Sequence, residues 1–453
     1  MRVRDITNNV KNEIRAAVTF ALRDNLICNR MIIKLRSHER LATEDMERLR
    51  RRQLLRTLLV ATRRIPFYSN IAVRCGEGDV EQFLANEFPI LEKSDFLSKR
   101  ELLYPNRGRI RPWTIVGETG GTTGAPLQTI RSLASVLWQN AFLKRQWSGA
   151  GFADGMPRAM LRGDMVVPVG QREPPYWFMN RYANQLVMSL THLREETADN
   201  FIEKLREFSP YMFEAYPSAA YDLARYLERR DCYLSIPYIF TGSEPLYDYQ
   251  RQLIEERFRS VVMDHYGMGE RMAFATECEY GNLHVNTDHS HMEILDENDN
   301  PTNEYGYVVG TTFHNLLMPL VRYRLSDQAK WKKGDCRCGR VYPMIERVKG
   351  RVEEVILGTS GNDIGPLLFR ILHGITGIER IQIAQVERYR LEIRVVPSLD
   401  FSEKEKERLV HNLHEYVDSG LAASVTLVDN IPRTSRGKYR WIVNEYIDGE
   451  RER

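Results

Sequence analysis

From about residue 110 to 350, short apolar runs alternate with helical patterns, and a chain patterned this way has few options other than an α/β fold. Ile236 to Phe240 and Val261 to Met263 are two such runs, each leading into a glycine-containing loop. Between them lie amphipathic segments such as Ala198 to Phe208, whose Phe201, Leu205 and Phe208 share one stripe. Residues 1 to about 100 read instead as mostly helical and arginine-rich, closing near Pro66-Phe67-Tyr68 and a connector around Pro89-Ile90-Leu91. Beyond about residue 350 the texture changes again. Leu391, Ile393 and Val395 alternate with polar residues as in a half-buried strand, and Ser402-x-x-Glu405 matches a capping box opening a helix. The pattern predicts a large multi-layer α/β domain over 1–350, its first 100 residues helical, and a small α+β domain over 351–453. A length of 453 residues also calls for two or three units.

Composition narrows the function classes. Hydrophobic residues at 43% and charged residues at 28% exclude disorder for the bulk of the chain. A net charge of +3, from 64 basic and 61 acidic residues, gives no argument for a nucleic-acid or membrane partner. The local basic run from Arg48 to Arg64 carries Leu49, Leu54, Leu55, Leu58 and Leu59 at helical spacing, and reads as the solvated face of an amphipathic helix rather than a polyanion site. No apolar stretch reaches the roughly 18 residues of a membrane span. The N-terminus lacks the apolar core of a signal peptide. Six cysteines are too few for a dense disulfide framework in such a chain, so the expectation is a cytoplasmic protein without a membrane span.

The most informative local stretch is Thr119-Gly120-Gly121-Thr122-Thr123-Gly124-Ala125-Pro126. Its glycines let the backbone fold around an anion, and Thr122 and Thr123 add hydroxyls, one of which could reach a phosphate-bound magnesium ion. Ordinary turns share this composition, so the stretch alone leaves both readings open. It lacks the Lys-Ser/Thr ending of a P-loop, and no dinucleotide fingerprint occurs elsewhere. Kinase and dehydrogenase readings lose their main support.

Taken with later segments, the loop resembles the Thr/Ser-Ser-Gly-Thr-Thr-Gly-Lys-Pro signature of the adenylate-forming superfamily. Gly242-Ser243-Glu244-Pro245 follows a strand pattern, and His265-Tyr266-Gly267-Met268-Gly269-Glu270 resembles the family's Tyr-Gly-x-Thr-Glu segment. Arg322-Tyr323-Arg324-Leu325-Ser326-Asp327 resembles its Arg-Tyr-x-Thr-Gly-Asp segment, Gly350-Arg351-Val352-Glu353-Glu354 its hinge, and Pro432-Arg433-Thr434-Ser435-Arg436-Gly437-Lys438 its catalytic-lysine loop. Ile65-Pro66-Phe67-Tyr68, Tyr216-Pro217-Ser218-Ala219 and the Cys-x-Cys-Gly-Arg run at 336–340 are most similar to the phenylacetate–coenzyme A ligase branch and its capsule-biosynthesis-type relatives. The resemblance covers roughly residues 55 to 445.

The resemblance implies ATP-dependent activation of a small-molecule carboxylic acid to an acyl-adenylate, then acyl transfer, with coenzyme A as the default acceptor. An amine or a separate carrier protein is the alternative acceptor, and a catalytically silent nucleotide-binding protein the alternative of another class. Thr119, Gly120, Gly121, Thr122, Thr123 and Gly124 would cradle the triphosphate, and Glu270 would help hold magnesium. Gly242, Ser243, Glu244, His265, Tyr266 and Gly267 would line the adenine pocket, with Asp327 and Arg351 at the ribose. Lys438 would offset charge developing at the α-phosphorus, and Glu353 would be the pivot on which a mobile small domain turns between half-reactions. The acyl pocket would lie among Trp138, Tyr216 and Met268. Three departures stand out: Ala125 replaces the loop lysine, Ser326 a glycine, and Glu353 the commoner aspartate.

Cys278-x5-His284 and Cys336-x-Cys338 offer three thiolates and an imidazole, a common tetrahedral zinc set, although spacing alone fits incidental cysteines equally well. The resembled branch has a similar pattern, which implies a structural zinc ion closed to substrate. His289, His291 and His314 lack a matching partner set and read as ordinary polar or core histidines.

Overall fold

The computed structural model describes residues 3–105, 114–118, 128–164, 166–168, 170–351, 356–359, 364–398, 400–434 and 439–446. These fall into two compact units. The first holds Met1–Leu246, Gln250–Leu325 and Ala329–Val348; the second holds Lys349–Arg453 with the short segments Tyr247–Tyr249 and Ser326–Gln328.

Helices Val3–Arg23, Leu26–His38 and Thr43–Arg64 open the first unit. The basic run falls on the last of these, whose Leu54, Leu58 and Ala61 are fully buried against Phe88, Phe96 and Val321. Not all of its arginines are solvated as the charge run suggested. Arg50 is mostly buried, ion-paired with Glu47 and Glu81, and donates to His291 Nδ1 at 2.8 Å. Arg52 pairs with Glu77. Arg48 and Arg51 pair with Asp45 and Glu81.

The main sheet has ten strands among the described residues. Its centre is five parallel strands in the order Val261–Gly267, Tyr238–Gly242, Met212–Ala215, Arg158–Arg162 and Gln185–Ser189. Every residue of Met212–Ala215 and of Gln185–Ser189 is buried, because a parallel strand is covered on both faces and so reads as a continuous apolar run. Phe201, Ile202 and Leu205 of helix Ala198–Phe208 pack with Leu223, Leu227, Ile239 and Phe258 into one core cluster, with Phe208 at its margin. Antiparallel strands extend the sheet at both ends: Trp177–Asn180 on one side, and Phe274–Glu277, Leu283–Val285, Met344–Ile345 and Trp331–Lys332 on the other.

A buried charge ties the first unit together. Asp288 is wholly buried, and its carboxylate accepts from Arg145 Nη1 at 2.8 Å and Tyr342 Oη at 2.8 Å, with His38 Nδ1 3.0 Å away. Burial alone would raise its pKa, but Arg145 and His38 hold it well below the usual carboxylate range. These partners come from helix Leu26–His38, helix Leu133–Gly149 and the segment before Met344–Ile345.

The second unit is built on a four-stranded sheet ordered Ala422–Leu427, Arg390–Pro397, Ile378–Glu387, Ile442–Asn444. Leu391, Ile393 and Val395 are fully buried and meet Leu409 and Leu413 of helix Glu403–Tyr416. Ser402 does sit at the N-cap of that helix, yet the expected capping box is not made. The Ser402 side chain bonds no helix amide, and Glu405 turns away to accept from Thr376 N at 3.3 Å. Tertiary contact outcompetes the local motif. Among the described residues no helix is long and apolar enough to cross a membrane.

Removing the counter-charge of Asp288 strands a buried carboxylate. Arg145→Leu should therefore cost about 3–5 kcal/mol of unfolding free energy, read from urea denaturation. A loss below about 1 kcal/mol would mean that the network is not what holds these elements together.

Candidate active site

The glycine-rich residues Thr119, Gly120, Gly121, Thr122, Thr123 and Gly124 lie outside the described residues, as do Glu353, Lys438 and the side chain of Arg351. The loop joins two described strands, Ile115–Glu118 and Gln128–Arg131, which pair as an antiparallel hairpin. Asp327 is half-buried and faces Arg351 in strand register within the second unit.

The other expected nucleotide residues gather at the carboxyl ends of the parallel strands, where open α/β sheets bind ligands. Gly242 ends one strand and faces His265 on the next. A Cβ on residue 242 would lie 2.5 Å from His265 Cε1, so only glycine admits the imidazole here. The following Ser243 has φ 72, a conformation that costs energy for a side-chain-bearing residue and is common at functional turns. Its Oγ accepts from Arg162 Nη2 at 2.9 Å. Arg162 Nη1 donates to Glu214 Oε1 at 2.5 Å, and its guanidinium stacks 5.0 Å from the centre of the Tyr216 ring. Glu244 Oε2 accepts from Ser218 N at 3.1 Å, at the start of helix Pro217–Arg229, where a carboxylate also complements the helix dipole. Ser243, Glu244, Tyr216 and His265 thus belong to one constellation.

Its organiser, Arg162, was missed in the sequence, as was Glu214. The usable signal was positional: Arg162 ends a central strand, and Glu214 precedes the end of its neighbour. Burial would push the Glu214 carboxyl up, but the charges of Arg162 and Arg158 hold it below its ordinary range. Burial and the nearby Arg162 push His265 down to about 4, so the imidazole is neutral at pH 7. Behind it Asp264, hydrogen-bonded from Thr241 Oγ1 at 2.7 Å, is pushed up to about 6 by burial.

Tyr266 and Gly267 complete the strand, and Met268 and Glu270 follow in a turn, both half-buried. Arg131 donates to the Gly269 carbonyl and pins that turn to the hairpin carrying the glycine-rich loop. Trp138 lies on helix Leu133–Gly149 and packs against His314, with 4.5 Å between ring centres and the planes tilted by 31°. The cleft beside Trp138 is lined also by Gln139, Arg271, His289 and Asn315, but not by Tyr216 or Met268.

The cysteine and histidine set does converge. Four antiparallel strands bring distant residues into one corner: Cys278 follows Phe274–Glu277, His284 lies in Leu283–Val285, and Cys336 and Cys338 lie in the loop between Trp331–Lys332 and Met344–Ile345. Their donor atoms all lie within 4.8 Å of one another. Cys278 Sγ is 3.6 Å from Cys336 Sγ, and Cys338 Sγ is 3.3 Å from His284 Nε2. These separations approach the edge of a tetrahedron with metal–sulfur bonds of about 2.3 Å. His284 Nδ1 donates to the Tyr342 carbonyl at 3.0 Å, which turns Nε2 towards the thiols and matches the outer-shell bond of a metal-bound histidine. Gly339, at φ 66, makes the turn that returns the chain after Cys338. The residues fit zinc.

The C-terminal segment 357–445 matches the family model of the CapK C-terminal domain. CapK of Staphylococcus aureus is 28% identical over 53% of this chain and 56% of its own length. A phenylacetate–coenzyme A ligase of Escherichia coli (strain K12) is 26% identical over 52% of this chain and 58% of its own. The chain therefore spans little more than half the length of these relatives. A solved 2-hydroxyisobutyryl-CoA ligase, in a postadenylation state, matches with TM-score 0.68 and 17% identity, over 92% of this chain and 93% of that one. The chain shares the fold of that solved ligase. In sequence it is similar to CapK and to a phenylacetate–coenzyme A ligase.

Four histidines whose protonation the fold disfavours make stability pH-dependent. Burial lowers His265 and His314 to about 4, His291 to about 3, and His289 well below its ordinary value. An unfolded histidine binds a proton below about pH 6.5, so between there and pH 4 the unfolded chain holds protons that the native state refuses. Stability should fall as pH drops through that window, offset in part by Asp264, which takes up a proton near pH 6 in the native state. Urea midpoints should be lower at pH 5 than at pH 7, with a slope of up to about three protons. A flat profile would contradict the buried neutral state.

Proposed function

We propose that this chain activates a carboxylic acid with ATP, forming an acyl-adenylate and releasing pyrophosphate, and then transfers the acyl group to coenzyme A. The observation that carries this reading is the constellation at the carboxyl edge of the parallel strands, where Arg162 joins Ser243 to Tyr216 and Glu214. This edge is followed directly by the turn bearing Glu270.

In this reading a carboxylate oxygen attacks the α-phosphorus of ATP, the bond to the β-phosphate oxygen breaks, and pyrophosphate leaves with the electron pair. The nitrogenous base lies along Gly242–Glu244 and Tyr266, where neutral His265 adds no charge beside it. Asp327 accepts from the ribose hydroxyls. Thr119, Thr122, Thr123 and the loop glycines hold the phosphates, and Glu270 supplies an oxygen for magnesium, which neutralises phosphate charge when bound. Lys438 stabilises the charge that develops in the transition state. The thiol of coenzyme A then attacks the acyl carbon; the carbon–sulfur bond forms, AMP leaves, and the thiol proton passes to solvent. Relatives named as phenylacetate–coenzyme A ligases, and a neighbour solved as a CoA ligase with its acyl-AMP, support this sequence of steps.

Cys278, His284, Cys336 and Cys338 are proposed to hold one zinc ion as a closed structural site. Protein purified without a polyhistidine tag should contain about one zinc per chain, and Cys336→Ser should lose the metal and unfold at lower temperature. Metal-free protein of unchanged thermal stability would refute the site.

Carboxylate-dependent ATP–pyrophosphate exchange across a panel of acids tests the activity. At least one acid should support exchange, reduced about 100- to 1,000-fold by Lys438→Ala. Failure to bind ATP at all would overturn the proposal.

A further inference from the structure

The first two helices turn to solvent a kind of surface that a folded chain normally covers. In helix Val3–Arg23, Ile14, Val18 and Leu22 recur every four residues and so form one stripe. They are 60%, 52% and 41% exposed. Helix Leu26–His38 repeats the arrangement, with Leu26 79% and Ile33 70% exposed on one side and Ile27 beside them. Both helices are nonetheless firmly attached. Cys28 and Leu35, on the opposite side of the second, are buried with Leu137, Ala141 and Phe142 of helix Leu133–Gly149. On the inner side of the first, Ala16 is buried and Asn12 Nδ2 donates to the Val166 carbonyl at 2.8 Å. The outward apolar residues therefore serve no core of this chain.

Charge on this surface has one sign. Every lysine and arginine from residue 11 to residue 38 is exposed: Lys11, Arg15, Arg23, Arg30, Lys34 and Arg36. The acids of the same stretch, Glu13 and Asp24, are not, and Asp24 is held by Lys144 at 2.6 Å. Among the described residues Arg15 alone of the six cations forms an ion pair, a 3.5 Å contact with Asp164 that leaves its side chain 68% exposed. Such an exposed pair is weak. Lys11 and Arg15 flank the first apolar stripe, and Arg30 lies between Leu26 and Ile33 on the second.

We propose that these two helices dock the protein on the surface of an anionic lipid bilayer. Ile14, Val18, Leu22, Leu26 and Ile33 enter the boundary between headgroups and acyl chains, while the interleaved lysines and arginines meet lipid phosphates. Apolar residues set among cations on an amphipathic helix are the pattern of such an interfacial anchor. Long basic side chains reach the headgroups while their stems stay beside apolar neighbours. Attachment is to the surface, because no described helix is long and apolar enough to span. A second copy of this face would set like charge against like. An acidic protein would need a carboxylate placed against each cation, whereas laterally mobile headgroups supply anions wherever the cations lie. The inference goes beyond the adenylation reading and does not rest on it.

Vesicle sedimentation of the full chain tests it. Binding to phosphatidylcholine vesicles containing about one phosphatidylglycerol in three should be at least about 100-fold tighter than to phosphatidylcholine alone. It should weaken about 10-fold or more as NaCl rises from about 0.1 to 0.5 M. The double substitution Leu26→Ser with Ile33→Ser leaves every charge in place, and should weaken binding about 10-fold or more with thermal unfolding of the free protein unchanged. Ile14→Ser with Val18→Ser gives an independent variant on the other helix should the first not fold. No preference for the anionic vesicles, or equal binding by both serine variants, would overturn the proposal. So would self-association or capture of an acidic protein, abolished by the same substitutions, in a chain that ignores vesicles.

Discussion

The charge on Asp288 is the constraint on which the first unit depends. A carboxylate with no exposure to water must be met by donors from several directions, and here they come from Arg145, Tyr342 and His38. The helix bearing Arg145 also carries Trp138, which places one wall of the cleft. Tyr342 uses its carbonyl to orient His284, so the same residue serves the buried ion pair and the proposed metal corner. Replacing such a network with apolar residues can be neutral, whereas removing one partner is costly. Its value lies in fixing the arrangement.

A second charged cluster plays the same part at the sheet edge. Arg162 collects Glu214, Ser243 and the face of Tyr216 from three neighbouring strand ends. It holds Ser243 in its left-handed conformation and depresses the basicity of His265. Arg145 and Arg162 each have a carboxylate partner.

Much of the architecture was legible in the residues. The continuous apolar runs, the Leu391–Ile393–Val395 alternation and the stripe on Ala198–Phe208 declared strands and a helix, because periodicity records which faces are buried. The zinc-like set was legible as residue types, and the motif order pointed to Gly242 and Ser243, which lie at the end of a central strand. What failed were inferences from purely local chemistry. Ser402 and Glu405 had the spacing of a capping box, yet Glu405 bonds Thr376. Arg50 looked like surface charge until Glu47, Glu81 and His291 enclosed it.

By itself the sequence determined the α/β pattern, the order of the motifs and the residue types available for phosphate, metal and acid chemistry. Side-chain periodicity and backbone-permissive residues are properties of short segments. Only the tertiary structure decided that Arg162 would organise the strand ends and that Cys278 and Cys338 would meet across four antiparallel strands. Those outcomes depend on which residues far apart in the chain share one low-dielectric space, and charge counts along a sequence carry no record of that.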